Sequence, residues 1–222
     1  MSDGHGNPHS DARHGDGHTR GAPHDGVQPS AEAGYYAGRI RAIEALLVEK
    51  GVLTKEDVRR QIDYMKARTP ANGARMVARA WVNTDYKALL LTDTKAAALE
   101  LGIDASGPVE FMTVENTPEV HNLIVCTLCS CYPRAILGIP PDWYKSFNYR
   151  SRAVGEPRAV MREFGLELPE SVRVAVHDSS ADVRYMVLPM RPHGTEGMSE
   201  EALAGLVTRD CLIGASIPRF VR

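Results

Sequence analysis

The sequence has no excess of charge of either sign. Lysine and arginine total 26 among 222 residues, against 28 aspartate and glutamate residues. A balance this even offers no general attraction to nucleic acid or to an anionic membrane surface. We therefore expect neither partner, and any selectivity for charged ligands must come from local groups.

Long apolar runs are also absent. No run of about 18 apolar residues could span a bilayer, and the first residues, MSDGHGNPHSDARHGDGH, lack the apolar segment of a secretory signal. Neither insertion into a membrane nor export is therefore indicated, and we expect a cytoplasmic protein.

Cysteine is scarce, and its few copies are crowded. The chain has four cysteines, of which Cys126, Cys129 and Cys131 lie within six residues. This spacing is not that of the disulfide frameworks that stabilise small secreted domains. It predicts metal or redox chemistry instead.

Composition divides the chain into three regions. Residues 1–30 are rich in Gly, Asp, Pro and His and nearly lack large apolar side chains, so we predict a disordered tail. Residues 31–105 show helical apolar spacing, and residues 106–222 show strand-like segments between shorter helices. This order predicts an α+β fold, in which a helical arm precedes an α+β domain.

Cap residues, breakers and apolar spacing predict the individual elements. The fourth helix of the arm is predicted as one segment from Asp85 to Leu101. The predicted helices begin at or just after Ala33, Thr54, Ala74, Thr84, Pro157 and Ser199. The predicted strands are Val109 to Val114, Leu123 to Val125, Val172 to Val176 and Val183 to Leu188.

The crowded cysteines form the motif C-x-x-C-x-C directly after the apolar segment NLIV. A structural zinc site needs four ligands, so Cys211 or a distant histidine would have to supply the fourth. An iron–sulfur cluster has the same shortage. A redox pair of Cys126 and Cys129 would leave Cys131 unexplained.

A fourth interpretation counts backbone nitrogens as ligands. The amides of Ser130 and Cys131 lie between the thiolates of Cys129 and Cys131, and a strongly Lewis-acidic ion could bind all four in a plane. Cys126 would add one axial sulfur and leave the opposite axial position open, as catalysis by polarisation requires. Such donors favour ions other than zinc, whose structural sites are tetrahedral. Zinc and redox roles stay open on the spacing alone.

The surrounding residues resemble a known family. VCTLCSCYPR, ILGIPPDWYKSFNYRSRAVGEPRAVMREFGLELP and VHDSSADVRYMVLPMRPHGTEGMSEEALAGLVTRDCLIG resemble the metal-binding alpha subunit of nitrile hydratases. The likeness extends into the helical arm through GARMVARAWVNTDYKALLL. It implies an α-β-β-α layered metal-binding catalytic domain and the hydration of a nitrile to an amide, which is a lyase reaction.

The resemblance also implies a cofactor and a partner. The metal would be a non-corrin cobalt(III) held by Cys126, Cys129, Ser130 and Cys131, and Thr127 with Tyr132 favours cobalt over iron(III). Cys129 would be a sulfinic acid and Cys131 a catalytic sulfenic acid, which are rungs of the cysteine oxidation ladder. A separate beta-type subunit would complete the enzyme, and a small-molecule nitrile would be its substrate.

Three residues bear on the substrate and the site. Arg134 stands where nitrile hydratases usually have tryptophan, and a cation there favours an anionic or strongly polar substrate. The segment CTLCSCYPR also resembles the cobalt subunit of thiocyanate hydrolase, whose substrate is an anion. Three-subunit enzymes such as toyocamycin nitrile hydratase, whose substrate is polar, agree with a cation at this position as well. Glu156 matches an acidic residue near the family's subunit interface, with a predicted catalytic role. His177 replaces a common tryptophan and is interpreted as structural.

Two alternatives to the nitrile hydratase assignment therefore stay open. One is the cobalt subunit of a thiocyanate hydrolase. The other is a non-enzymatic zinc or metal-handling protein, which the histidines of the tail would suit. These tail histidines are His5, His9, His14, His18 and His24.

Overall fold

The computed structural model describes residues 31–220, and the predicted tail of residues 1–30 lies outside the described residues. The chain divides into two compact units, Met1–Leu46 and Leu47–Arg222. In the first unit, the described residues belong to helix α1 (Ala31–Glu49), which confirms the predicted first helix.

The second unit contains the remaining helices and all the described strands. Its helices are α2 (Lys55–Lys66), α3 (Pro70–Val82), α4 (Thr84–Thr92), α5 (Thr94–Glu100), α6 (Arg134–Leu137), α7 (Asp142–Lys145), α8 (Phe147–Gly155), α9 (Pro157–Glu163), α10 (Glu200–Ala204) and α11 (Arg209–Ile213). Its strands are β1 (Glu110–Glu115), β2 (Val120–Val125), β3 (Arg173–Asp178) and β4 (Val183–Leu188). No described helix is both long and apolar enough to cross a membrane.

The helix ends explain where the sequence prediction succeeded. The predicted capping box is present, because Asp57 N donates to Thr54 Oγ1 over 3.1 Å and Thr54 N donates to Asp57 Oδ2 over 2.9 Å. The predicted helix beginning at Pro157 and the helix capped by Ser199 are also present, as α9 and α10.

Two predicted helices of the arm have different bounds. The third begins at Pro70 rather than Ala74, since proline fits the first helical position, where its missing N–H is not needed. The single helix predicted from Asp85 to Leu101 is two helices. Asp93 interrupts it, because its side chain accepts a hydrogen bond from Ala96 N and caps α5.

The four strands form two separate two-stranded sheets, and both are parallel. β1 pairs with β4, and β2 pairs with β3. Val125 lies opposite Asp178, the last residues of β2 and β3. Because both strands of a parallel pair end at the same edge, the loops that follow them lie side by side.

Helices cover the outer faces of the two sheets. α4 and α5 contact β1, while α8 contacts β2 and α9 contacts β3; the sheets contact each other because β2 lies against β4 and β1. The layers therefore run helix, sheet, sheet, helix, which confirms the predicted α+β fold. The predicted boundary between arm and domain at residue 105 stays a prediction.

Candidate metal centre

The cysteine loop begins at the carboxyl end of a buried strand. Val125, the last residue of β2, is fully buried, and Cys126 follows it with 1% of its surface exposed. The loop then turns outward, so that Cys129 is exposed and Cys131 is half-buried. A stiff strand thus fixes the inner end of a loop whose middle is open to solvent.

The loop brings three sulfur atoms together. Cys126 Sγ lies 3.3 Å from Cys129 Sγ, which in turn lies 3.0 Å from Cys131 Sγ. All three sulfurs lie within 4.8 Å of one another, and the Cys129 N–H donates to Cys126 Sγ over 3.3 Å. Ions of the first transition series bind thiolate clusters of this kind.

The thiols differ in their acidity. Hydrogen bonds from Cys131 and then Cys126 lower the pKa of the Cys129 thiol to about 7, and the N–H groups of Cys131 and Ser130 also lower it. Burial, followed by the hydrogen bond with Cys129, raises the pKa of Cys131 to about 12. Cys129 therefore ionises at a lower pH than Cys131 does.

This donor set fits an ion with amide ligands better than it fits zinc. The N–H groups of Ser130 and Cys131 lie near enough to the Cys129 sulfur to lower its pKa. Two backbone amides and three thiols are therefore close together in this loop. Within residues 31–220, no fourth histidine, cysteine or carboxylate joins the cluster, as tetrahedral zinc would need. Cys211 is buried elsewhere, with Sγ 3.2 Å from Thr208 Oγ1, as expected for an apolar filler.

Three residues outside the motif hold the loop, and sequence reasoning did not identify their contacts. Asp178, at the end of β3, accepts hydrogen bonds from Thr127 N over 2.9 Å and from Thr127 Oγ1 over 2.6 Å. Arg150 Nη1 donates to Thr127 O over 3.4 Å, and the buried Tyr144 hydroxyl donates to Cys131 O over 2.8 Å. The only available signal was the position of Asp178 at a strand end.

Arg134 lies beside the cysteine loop in a cationic cavity. The residue is exposed at the start of α6, and it lines a cavity of about 240 Å³ with Arg68, Arg184, Phe111 and Tyr132. The charge of Arg184 also acts on the neighbouring thiol, where it lowers the pKa of Cys131 against the larger effect of burial. The cavity therefore presents three guanidinium groups, of which that of Arg184 lies near enough to Cys131 to affect its pKa.

Glu156 has a different environment. It lies between α8 and α9, where its carboxylate accepts a hydrogen bond from Arg152 Nε over 2.8 Å. Arg152 also pairs with Glu163, and the hydrogen bond from Arg152 lowers the pKa of Glu156. The described contacts join Glu156 to a surface ion-pair network, and its predicted catalytic role stays a prediction.

His177 belongs to a buried polar network, which agrees with its structural interpretation. Its Nε2 lies 2.8 Å from Asn122 Oδ1, and its ring packs on Tyr185 with 5.2 Å between ring centres. Asn122 in turn bonds to Asn116, whose Nδ2 lies 3.2 Å from His121 Nδ1. The network gives hydrogen-bond partners to polar side chains of β2 and β3 and to Asn116.

Comparison with known proteins identifies relatives of this loop and fold. The profile described as nitrile hydratase, alpha chain, matches residues 34–216. The low-molecular weight cobalt-containing nitrile hydratase subunit alpha of Rhodococcus rhodochrous is 49% identical over 183 residues, 82% of this chain and 88% of that one. The thiocyanate hydrolase subunit gamma of Thiobacillus thioparus is 44% identical over 189 residues, 80% of this chain and 78% of that one.

A solved structure agrees with these relatives. A double mutant of the Fe-type nitrile hydratase from Comamonas testosteroni Ni1 superposes with a TM-score of 0.76 at 45% identity. The superposition covers 83% of this chain and 91% of that one. The residues matched by the family profile, 34–216, include both sheets and the cysteine loop.

Proposed function

The chain belongs to the nitrile hydratase alpha-chain family, and we propose that it is the metal-binding catalytic subunit of a cobalt nitrile hydratase. Members of this family are hydrating enzymes. The observation that carries the proposal is the convergence of three sulfurs and two backbone amides within one loop. Cys129 is exposed and Cys131 is half-buried, so a substrate could reach an ion held by the loop from the solvent side.

The residues of the loop divide the work. Cys126, Cys129, Cys131 and the amides of Ser130 and Cys131 would hold cobalt(III), which supplies Lewis-acid polarisation of the nitrile when bound. We propose that Cys129 is oxidised to a sulfinic acid and Cys131 to a sulfenic acid, with dioxygen as the oxidant. The sulfenate oxygen of Cys131 would take a proton from water as the water oxygen bonds to the nitrile carbon. That proton then goes to the nitrile nitrogen, and tautomerisation gives the amide without net redox change.

Cobalt rather than iron is favoured by the sequence of the loop and by its relatives. Thr127 and Tyr132 match the cobalt type of the resemblance, and relatives nearly half identical to this chain carry cobalt in their names. The Fe-type structural neighbour shows that the same fold also serves iron. We assign the trivalent, non-corrin state to the cobalt because strongly donating amide and thiolate ligands stabilise it.

A beta-type subunit would complete this centre. Cys129 is exposed, and the side chain of Leu128 next to it is 90% exposed, so the loop is open on its outer side. A large apolar side chain at such an opening fits burial by a protein partner. The expected cytoplasmic location stays a prediction.

The test is to produce the full chain with its beta-type subunit in cobalt-containing medium. We expect cobalt on the chain, an intact mass increased by three oxygen atoms, and conversion of nitriles to amides. Cys131→Ser should reduce turnover by more than about 100-fold, because it removes a ligand and the proposed base. Cys211→Ser, a change at a buried cysteine away from the cluster, is the matched control and should retain cobalt.

The zinc alternative predicts a different result. One bound zinc per chain, with unmodified thiols and no amide production in the assembled complex, would contradict the proposed function. Zinc prefers a tetrahedral set of ligands and does not require oxidised sulfur.

A thiocyanate hydrolase is the second candidate, and the cationic cavity favours it. Arg134, Arg184 and Arg68 together line the cavity next to Tyr132, and such a cluster suits an anionic substrate. Turnover of thiocyanate and of neutral nitriles by the same cobalt-loaded complex separates the two candidates. Thiocyanate hydrolysis without amide formation would replace the first candidate by the second. In that case Arg134→Gln should raise the KM for thiocyanate.

A further inference from the structure

Every polar backbone and side-chain group of Thr127 is held by another element. Its N–H and its hydroxyl both donate to the carboxylate of Asp178, over 2.9 Å and 2.6 Å. Its carbonyl oxygen accepts a hydrogen bond from Arg150 Nη1 over 3.4 Å. We name this arrangement of Asp178 and Arg150 around Thr127 the Thr127 clamp.

The fold places the clamp where the loop needs it. Asp178 lies opposite Val125 in the parallel register, and Ser179 N donates to Val125 O over 2.7 Å, so the ends of β2 and β3 are joined. Arg150 comes from α8, which packs on β2. The two clamping side chains therefore start from elements that are fixed relative to the strand that carries Cys126.

Apart from the hydrogen bond from Cys129 N to Cys126 Sγ, the loop has little else to fix it between its first two cysteines. Only Thr127 and Leu128 separate Cys126 from Cys129, and Leu128 is 90% exposed, so its side chain contributes almost no packing. The hydrogen bonds of Thr127 go out of the loop, to Asp178 on β3 and to Arg150 on α8. The distance of 3.3 Å between the sulfurs of Cys126 and Cys129 thus depends on how Thr127 is held.

We propose that Asp178 and Arg150 are positioning residues, which hold the cysteine loop in its metal-binding shape before the metal arrives. The carboxylate of Asp178 has the larger part, because it accepts two hydrogen bonds and charged acceptors bond more strongly. The long bond from Arg150 has the smaller part. The role of the clamp in metal binding rests on the proposed function, whereas its role in shaping the loop does not.

The first test follows the shape of the loop without any metal. Cys126 is 1% exposed, so iodoacetamide reaches it only when the loop opens, and initial labelling rates can be measured for each cysteine by peptide mass. In the reduced, metal-free full chain, Asp178→Asn should label Cys126 about tenfold faster than wild type, since one charged acceptor is lost. Arg150→Met should give a smaller increase.

Changes at Thr127 and at a remote carboxylate provide the controls. Thr127→Ser keeps both donors and should label Cys126 at the wild-type rate, whereas Thr127→Val loses the hydroxyl and should fall between wild type and Asp178→Asn. Asp142→Asn also removes one carboxylate, but Asp142 is 66% exposed and pairs only with Lys145 among its described contacts. In Asp142→Asn, Cys126 should therefore be labelled at the wild-type rate.

The result that overturns the clamp is specific. Circular dichroism first shows whether all the variants are folded. If they are, and Cys126 is labelled equally fast in Asp178→Asn, Thr127→Val and Asp142→Asn, then the clamp does not shape the loop. If Asp178→Asn does not fold, the test is the labelling rate of Cys126 in Thr127→Val compared with that in Thr127→Ser. Equal rates for those two variants would overturn the clamp as well.

The second test measures cobalt retention in the assembled complex. Asp178→Asn should lose cobalt to a chelator about 10- to 100-fold faster than wild type, with a weaker sulfur-to-cobalt absorption band, because partners of metal ligands contribute this much to metal affinity. Thr127→Ser, which keeps both donors, should show the wild-type rate of cobalt loss and the wild-type absorption band. If the wild-type complex binds no cobalt, this result contradicts the proposed function but not the role of the clamp in shaping the loop. The labelling rates of the metal-free chain then test that role. Equal cobalt loss from Asp178→Asn and Asp142→Asn overturns the metal role of the clamp.

Discussion

At the scale of single residues, the loop separates its three thiols by environment. Cys126 is buried at the end of β2, Cys129 is exposed, and Cys131 lies between these extremes. Hydrogen bonds to a thiolate favour its charged form, while burial favours the neutral thiol. The same residue type thus acquires different acidities at Cys129 and Cys131 and, in the proposed enzyme, different oxidation states.

The first prediction concerns the thiol of Cys129 in the metal-free chain. Because the hydrogen bonds from Cys131 and Cys126 lower its pKa to about 7, its alkylation rate should rise with a midpoint near that pH. Cys131, whose pKa burial raises to about 12, should label only in strongly alkaline solution. The measurement is the labelling rate of each cysteine against pH.

A matched variant makes this prediction sharper. Cys131→Ala removes the main hydrogen-bond donor to Cys129, so the midpoint for Cys129 should move up towards the ordinary thiol value of about 8.5. A wild-type midpoint already at that ordinary value would contradict the arrangement of thiols in the loop.

Residue types and spacing were enough to predict the cysteine cluster but not the contacts that hold its loop. The motif itself predicts Cys126, Cys129 and Cys131 as a cluster, and the structure confirms that their sulfurs converge. The bond between Thr127 and Asp178 joins residues 51 positions apart in the chain. No local pattern encodes such a contact, because it depends on which strands pair.

At the scale of elements, the sequence predicted local features such as helix ends but not which strands pair. Caps and breakers predicted the helices of the arm and α9 and α10, since these signals act within a few residues, but α6, α7, α8 and α11 were not predicted. The strands were also predicted in place, but their pairing of β1 with β4 and of β2 with β3 depends on tertiary packing. The break at Asp93 was missed because apolar spacing continues across it, although the aspartate caps the next helix.

The second prediction compares two glycines that follow helices. Gly214 has a φ of +83°, and a Cβ there would overlap the carbonyl oxygen of Asn122 on β2. Gly102 has a φ of +70° but open space around it. Gly214→Ala should therefore lower the free energy of unfolding by about 3 kcal/mol or more, from backbone strain and overlap together.

Gly102→Ala isolates the backbone contribution. It should cost only about 1 kcal/mol, because a left-handed conformation is its only penalty. Denaturant unfolding of both variants gives the measurement. Equal losses of stability would show that the approach of the loop after α11 to β2 is not close.

The third prediction concerns the buried histidine of β2. Burial lowers the pKa of His121, against the opposite effect of its hydrogen bond to Gly214 O. A histidine with a lowered pKa takes up protons more readily in the unfolded chain, so stability should fall as the pH drops below about 6.5. Thermal unfolding between pH 8 and pH 5.5 measures this fall.

Two variants assign the effect to its source. His121→Gln should reduce the dependence on pH even though its melting temperature at pH 8 is lower, since glutamine does not titrate. His177→Gln serves as the comparison, because burial, followed by the charge of Arg173, also lowers the pKa of His177. A pH dependence unchanged by either substitution would assign it to other groups.

At the scale of the whole molecule, the described surface is open to solvent around the cysteine loop. The sheets and their covering helices form a closed core, but the cysteine loop at the carboxyl ends of β2 and β3 faces outward. Large apolar side chains remain exposed there and nearby, with Leu128 at 90% and Phe147 at 77%. Phe147 lies one helical turn before Arg150, which reaches the loop.

The fourth prediction follows from this exposure. Assembly with a beta-type subunit should bury Leu128 and Phe147, because a catalytic centre that excludes bulk water needs a cover over its open side. Hydroxyl-radical labelling of both side chains should fall several-fold when the complex forms. Leu99, which is 72% exposed on α5 beside β1 in the other sheet, should label as before. A complex that forms while Leu128 keeps its full labelling would mean that the partner covers a different face and that the cysteine loop stays open to solvent.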